Sequence, residues 1–451
     1  MSIEKYDVVI LGGGNAAMGV TVPTREAGLS VAMVEEWDLG GTCPNRGCTP
    51  KKVLVAAAHA LHEIERAKEH CIKVGEPSLD WAALIDREKA MIKAIPERLG
   101  QLMAKRGVEV VRGHGAFVGT NAVRVGDRTL EARNIVIATG SKPRVLPIPG
   151  AEHMITSDEV LSERELPGEI VFVGGGVIAL EFSHVYARAG ARVTILEALP
   201  RLLGEMDVDA VERVRAESGR IGIDVRTGIS VRRIEPSNAR LRVSFAKDGD
   251  ERSINADRVV NGAGRVANVD TLDLDAGHVS HERGRVTIDE HLRSVSNPAV
   301  HVCGDALWTS PQLSPIATFE GRNVGRNIVE GPRHKPDYAT IPSCVYTVPA
   351  LASVGLTEAK ATEKGYKVDV RTSDMRDWLS AKTYAETVAW AKIVADSATD
   401  LVLGAHLVGH AGEELIHIFA MAMRHGITAG KLRDTIYGFP TFSSDIKSML
   451  S

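Results

Sequence analysis

Residues 6–17 read Tyr6-Asp7-Val8-Val9-Ile10-Leu11-Gly12-Gly13-Gly14-Asn15-Ala16-Ala17. The run Tyr6 to Leu11 is apolar and rich in β-branched residues, which predicts a short buried strand. Gly12-x-Gly14-x-x-Ala17 follows at once and opens a helical stretch to near Gly28. A second strand, Ser30 to Val34, then ends in Glu35. Strand, glycine turn, helix, strand and acid is the context a dinucleotide-binding fingerprint requires. Missing Cβ atoms let the backbone approach a pyrophosphate. The helix N-terminus offers N–H groups and partial positive charge. Glu35 would accept hydrogen bonds from a ribose.

The chain repeats the device. Glu169 to Val173 reads EIVFV, followed by Gly174-x-Gly176-x-x-Ala179, a helix to about Ala189, and a strand Arg192 to Leu196 ending in Glu197. The first glycine and the acid lie 23 positions apart in both copies. One such glycine pattern is weak evidence; two with equal spacing and correct flanks are strong. Two sites suggest two redox cofactors, one held and one exchanged. A carboxylate at Glu197 bonds a 2′-hydroxyl and repels a 2′-phosphate, favouring NADH over NADPH. Ala179, where many NAD sites carry Gly, points the other way. Arg192 and Arg201 are nearby cations that could reach a phosphate.

Outside these motifs the composition is ordinary. The chain has 451 residues, enough for about three domains. Apolar residues make up 44% and charged residues 25%, which argues against disorder. Lys+Arg 54 against Asp+Glu 58 gives a charge of -4, so no basic field suits nucleic acid. No run of apolar residues is long enough for a membrane span. Neither terminus reads as a secretory, lipidation or retention signal, so a cytoplasmic protein is expected.

Five cysteines do not make a secreted disulfide framework. Two of them stand in Gly40-Gly41-Thr42-Cys43-Pro44-Asn45-Arg46-Gly47-Cys48-Thr49-Pro50-Lys51-Lys52. Zinc would need more ligands, and Cys71, Cys303 and Cys344 stand singly. A redox-active pair fits better, because Arg46, Lys51, Lys52 and a following helix N-terminus all favour thiolate. The alternative is two buried structural cysteines. Arg46 has two readings, a draw for an anionic group such as a carboxylate or sulfonate, or a solvated loop residue.

This segment resembles the active-site run of the class I flavin-dependent pyridine nucleotide–disulfide oxidoreductases. Glutathione reductase, dihydrolipoamide dehydrogenase and mercuric reductase belong to that family. The resemblance extends to Ala138-Thr139-Gly140-Ser141-x-Pro143, Asn261-Gly262-Ala263-Gly264-Arg265, Val302-Cys303-Gly304-Asp305, Leu313-Ser314-Pro315-Ile316-Ala317 and Val354-Gly355-Leu356-Thr357. It implies an α/β fold with two Rossmann-like domains and a C-terminal α+β dimerisation domain. The FAD domain would be 1–149 and 268–337, the NAD(P)H domain 150–267 and the interface domain 338–451. It implies a homodimer with each site shared between subunits. Long helices are expected between Ala56 and Arg106, strands at Ser343–Val348 and Thr387–Val394, and a helix at Glu413–Arg424.

The resemblance further implies that FAD is held by Gly12, Gly14, Ala17, Glu35, Gly41, Thr42, Lys52, Thr139, Gly140, Gly304, Asp305 and Ala317. NADH or NADPH would lie on Gly174, Gly176, Glu197 and Gly264. Hydride would pass through the flavin to a Cys43–Cys48 disulfide, with Cys48 on the flavin side and Cys43 meeting the substrate. Lys52 and Glu181 match the ion pair beside the flavin's reactive nitrogen.

One departure matters. The family ends in His-Pro-Thr-x-x-Glu, the His reaching into the partner's site to move protons. This chain reads Phe439-Pro440-Thr441-Phe442-Ser443-Ser444, so Phe439 and Ser444 replace both members of that dyad. Loss of such a group costs about 10²–10⁴ in rate. Three readings follow. A disulfide reductase would use a relocated base, for which His406, His410, His417, His425, Tyr437 and Asp445 are candidates. A proton-poor site would cleave a thioether, as the resemblance of Phe439 to 2-ketopropyl coenzyme M oxidoreductase/carboxylase implies. A third reading has a non-disulfide acceptor, such as a metal ion or quinone.

Overall fold

A computed structural model describes residues 2–451. The chain divides into two compact units. One holds residues 2–52, 86–144 and 265–337; the other holds 53–85, 145–264 and 338–451.

The first unit is built on the strand Ser2–Leu11. Val8, Val9, Ile10 and Leu11 are all essentially inaccessible, which explains why both faces of this strand are apolar. It lies parallel between Val31–Glu35 and Arg128–Ile137, with Val9 opposite both Ala32 and Ile135. Val108–Arg112 extends the parallel sheet on one side, and Val300–Val302 pairs with the end of Arg128–Ile137. The helix Asn15–Glu26 packs along the helix Ser314–Glu330. Gly321 permits this, since a Cβ there would lie 2.0 Å from the Ala16 carbonyl oxygen. The two helices therefore meet backbone to backbone, and their first turns stand side by side.

The second unit repeats the parallel pattern in the sheet Asp224–Thr227, Arg192–Glu197, Glu169–Val173, Arg258–Asn261. A three-stranded antiparallel meander spans Ser230–Ser237, Arg240–Lys247 and Asp250–Ala256. The C-terminal part is an antiparallel sheet of five strands, Ser343–Val345, Leu351–Gly355, Val402–Gly409, Ala389–Asp396 and Val368–Asp374 in spatial order. The helix Gly412–Arg424 covers it through Leu415, Ile416 and Phe419. Among the described residues no helix is long and apolar enough to cross a membrane.

Some local expectations shift. The helical stretch between Ala56 and Arg106 is three helices, Cys48–Arg66, Trp81–Ile92 and Ile95–Lys105. The segment between the first two carries Gly75 and Pro77, which interrupt helical hydrogen bonding. The strand expected at Ser343–Val348 stops at Val345, short of Pro349, which has no N–H to give a ladder. The strand expected at Thr387–Val394 runs from Ala389 to Asp396.

A buried lysine gathers three carboxylates in this unit. Lys392 Nζ lies 3.2 Å from Asp207 Oδ2, 2.5 Å from Asp209 Oδ2 and 3.2 Å from Glu358 Oε2. Lys392 and Asp207 are almost wholly inaccessible, and Asp207 also caps the helix Val208–Arg220. Lys392→Met strands the Asp207 carboxylate without its counter-charge. The expected loss of stability is about 3–5 kcal/mol, measured as a shifted denaturant midpoint at unchanged slope.

Candidate active site

Both glycine turns are shaped by the same contacts. Gly12 adopts a φ of 106°, and a Cβ there would lie 2.3 Å from the Ala138 carbonyl oxygen. Gly174 has a φ of 109°, and its Cβ would lie 2.4 Å from the Gly262 carbonyl oxygen. The helices Asn15–Glu26 and Val177–Arg188 begin at Gly14 and Gly176 with no side-chain cap. Their first N–H groups are therefore available to an anion.

The acids sit at the ends of the neighbouring strands and are oriented by the turns themselves. Glu35 accepts hydrogen bonds from the Gly13 N–H at 2.6 Å and the Trp37 N–H at 2.7 Å. Glu197 accepts from the Gly175 N–H, and from the Leu199 N–H at 2.6 Å. The cations weighed as phosphate ligands are occupied elsewhere. Arg192 pairs with Glu169 at the opposite end of the strand from Glu197, about 16 Å away at the usual rise per residue. Arg201 donates to the carbonyls of Met206 and Gly204 within its own loop.

The cysteine segment is strapped to the first turn. The Gly40 N–H donates to the Gly13 carbonyl at 2.9 Å, and a Cβ on Gly41 would come within 3.0 Å of Gly14 Cα. Asn45 Nδ2 donates to the Leu39 and Gly41 carbonyls, each at 3.0 Å, and closes the loop. Cys43 lies in the short helix Thr42–Arg46, Gly47 breaks it, and Cys48 opens the helix Cys48–Arg66. Lys52 stands one turn after Cys48 on that helix.

Both cysteines are free thiols, and the charge of each bears on the other. Cys43 is pulled down to about 6, first by a hydrogen bond from Cys48, then by the Ser314 hydroxyl, the Asn15 amide and the charge of Lys51, against the cost of burial. Cys48, which is exposed, is pushed up, first of all by its interaction with Cys43. Sequence reading missed Asn15 and Ser314. Each opens a helix at this point, and the Asn15 amide donates to the Ser314 hydroxyl. Arg46 stacks on Trp37 with its guanidinium 5.2 Å from the ring centre.

A second group of residues converges in the same unit. Asp305 accepts from the Ser141 hydroxyl at 3.1 Å, and Arg265 donates to the same hydroxyl at 2.9 Å. Burial lifts the Asp305 carboxyl above its usual range. The Gly304 N–H donates to the buried Glu320 at 2.7 Å, a support that sequence reading also missed. Gly304 packs against Ala16 and Ala317. The Thr139 hydroxyl is buried and has no hydrogen-bond partner among the described residues. An orphaned hydroxyl, an uncapped helix start and an inward carboxylate suit a bound dinucleotide bearing hydroxyls and phosphates.

In the second unit, Glu181 is buried and accepts the Tyr346 N–H at 2.8 Å. Gly264 has a φ of 97°. Phe439 is 79% exposed. Ser444 is spent on the turn, donating its hydroxyl to the Thr441 carbonyl at 2.6 Å. Of the four C-terminal histidines, His417 and His425 are exposed. His406 is buried between the Ser353 hydroxyl and the Leu356 carbonyl. Among the described residues, His410 is the one of the four that hydrogen-bonds to an acid, Asp445, at 2.7 Å.

Comparison with known proteins places these features in context. Residues 6–321 match the family described as pyridine nucleotide-disulphide oxidoreductase. Residues 341–450 match its dimerisation domain. The chain is 33% identical over 452 residues to a dihydrolipoyl dehydrogenase of Chlorobaculum tepidum, covering 98% of this chain and 96% of that one. It is 30% identical over 446 residues to a mercuric reductase of Bacillus cereus, covering 98% and 70%. Among solved structures it is similar to the Cu(II) complex of the HOCl-induced flavoprotein disulfide reductase RclA from Escherichia coli. The TM-score there is 0.88 at 27% identity, over 99% of both chains.

Proposed function

The chain belongs to the pyridine nucleotide-disulphide oxidoreductases, FAD- and NAD(P)H-dependent enzymes with a dimerisation domain, and on that basis we propose that it is an NADH-preferring reductase working through Cys43 and Cys48. The observation that carries this reading is the two-cysteine segment strapped to the first phosphate turn by the Gly40 N–H and the Gly13 carbonyl. We keep 1–149 with 268–337 as the FAD segments, 150–267 as the NAD(P)H segment and 338–451 as the interface.

In this reading FAD rests on Gly12, Gly14, Ala17, Glu35, Gly41, Thr42, Lys52, Thr139, Gly140, Gly304, Asp305 and Ala317. The nicotinamide nucleotide rests on Gly174, Gly176, Glu197 and Gly264. The flavin supplies the conversion of a hydride into an electron pair that sulfur can accept. The helix starts at Gly14 and Gly176 neutralise pyrophosphate charge. Glu35 and Glu197 bond ribose hydroxyls, and Asp305 a ribityl hydroxyl. Lys52 and Glu181 orient the reacting ring. Cys43 holds thiolate at neutral pH and meets the acceptor, while Cys48 keeps the proton until it closes the disulfide.

Glu197 sets nucleotide choice, since its carboxylate opposes a 2′-phosphate. Glu197→Ala is expected to lower the NADH/NADPH ratio of kcat/KM by about 10-fold or more. An unchanged ratio removes this residue from specificity.

The acceptor is a disulfide in the first instance. A soft metal ion is a second reading, favoured by Phe439 and Ser444. Reducing a metal ion places no proton on a leaving sulfur, so a site without the family's imidazole suits it. A mercuric reductase among the relatives supports this reading, and the similar RclA structure is a Cu(II) complex. Anaerobic titration with NADH tests the shared core: two thiols per chain are expected after two electron equivalents. Bleaching of the flavin with no new thiols overturns it. Turnover with disulfides, Cu(II) or Hg(II), and a thioether with carbon dioxide then separates the acceptors.

A further inference from the structure

The helix Val208–Arg220 carries Arg213, Glu217 and Arg220 on one face, three or four residues apart. The strands Val368–Asp374 and Ala389–Asp396 pair antiparallel, with Asp374 opposite Trp390 at the end of the ladder. These three helix residues and this end of the sheet line a cavity of about 180 Å³, to which Arg376 also contributes. Every residue of it belongs to the second unit. At roughly 30 Å³ for each water, the space is that of about six waters, more than one orphaned group needs.

The ion pairs around the cavity leave one positive charge over. Arg376 donates twice to Asp374, at 3.0 and 2.9 Å. Arg220 bonds Glu217 at 2.8 Å and Glu65 at 2.7 Å, and Arg188 reaches the same two acids at 3.4 and 3.0 Å. Arg213 makes no ion pair among the described residues; its guanidinium lies over the Trp390 ring, 5.9 Å from the centre. Four guanidinium groups thus meet three carboxylates, and the surplus is on Arg213. Its charge is felt in the cavity: the Asp374 carboxyl is held below its usual range first by the Arg376 hydrogen bond, and Arg213 adds to the pull. Trp390 is 1% exposed, and its indole N–H is buried with no hydrogen-bond partner among the described residues.

We propose that this cavity binds a small oxyanion of the phosphoryl class, either inorganic phosphate or the phosphate group of a small monoester, through the surplus charge of Arg213 and the unpaired N–H of Trp390. A buried donor without a partner calls for an acceptor, which an apolar ligand does not supply. The surplus charge turns a cation away. A guanidinium fork matches the geometry of phosphoryl oxygens, and an indole N–H has only a donor to offer them. Glu217 and Asp374 are each held by guanidinium groups, so neither presents an uncompensated negative charge to the ligand. Arg213 and Arg376 are exposed, so the cavity opens to solvent beside them and an ester's alcohol part has a way out. The proposal goes beyond the redox reading and stands apart from it.

The test is equilibrium dialysis of radiolabelled inorganic phosphate against the flavin-loaded enzyme at fixed ionic strength. Saturating NAD⁺ is present, so that phosphate does not report from the Gly174 turn. Wild type is compared with Arg213→Ala and Trp390→Phe. Arg213 is exposed, so its truncation spares the fold, and Phe keeps an aromatic ring while removing the N–H. Wild type is expected to show one saturable site per chain, and R213A and W390F to raise its Kd about 10-fold or more each. Flavin content and circular dichroism check that W390F is folded; should it fail, R213A alone decides. Displacement of phosphate by glycerol phosphate at similar concentration assigns the site to a monoester, and resistance to it assigns the free ion. No saturable binding at millimolar phosphate, or a Kd that R213A leaves unchanged, overturns the proposal.

Discussion

Cys43→Ser is expected to abolish acceptor turnover, by about 10³-fold or more, while the chain still takes up hydride from NADH. Serine keeps the volume but holds its proton far above neutral pH, so neither a disulfide nor a soft metal meets an anion. The same site gives a finer readout. Alkylation of Cys43 in the reduced enzyme requires thiolate, so its rate should rise with pH through a midpoint near 6. Cys48→Ala removes the largest cause of that depression, the hydrogen bond from Cys48. The midpoint should then move upward and the rate at neutral pH should drop. A midpoint that stays near 6 means the cationic and polar neighbours, not the second sulfur, hold the charge.

Gly12→Val is expected to give a chain that does not retain flavin. A side chain there enters at a φ of 106°, and its Cβ meets the Ala138 carbonyl oxygen at 2.3 Å. Backbone strain of this kind costs about 1–3 kcal/mol before any clash is counted. Relief requires the turn to move away from Thr139 and from the start of Asn15–Glu26. The measurement is the flavin-to-protein absorbance ratio after purification, with circular dichroism to confirm helix content. Full flavin content in the variant would remove Gly12 from the binding surface.

The features legible in the sequence were those written in local periodicity. Val8 to Leu11 announce a buried strand because four consecutive apolar residues leave no solvated face. Glu35 and Glu197 are found by counting, since a strand, a helix and a strand have fixed lengths. What stayed hidden was set by tertiary approach. Asn15 and Ser314 are 299 residues apart, and only the packing of two glycine-lined helices brings them to Cys43. Glu320 reads as one more charge on a helix until Gly304 is seen to need an acceptor. Arg192 was misplaced as a phosphate candidate, because proximity in sequence along an extended strand is distance in space. His410 and Asp445 were both among the residues weighed for a missing base, but their pairing across 35 positions needed coordinates.

The strap from Gly40 to Gly13 means that the redox loop, closed on itself by Asn45, is also footed on the nucleotide turn. Whatever tightens the nucleotide turn also stiffens the sulfurs, and by linkage whatever modifies the sulfurs alters cofactor retention by an equal free energy. Oxidative damage at Cys43 should therefore be accompanied by shedding of flavin, and chains stripped of flavin should be the ones most easily scarred.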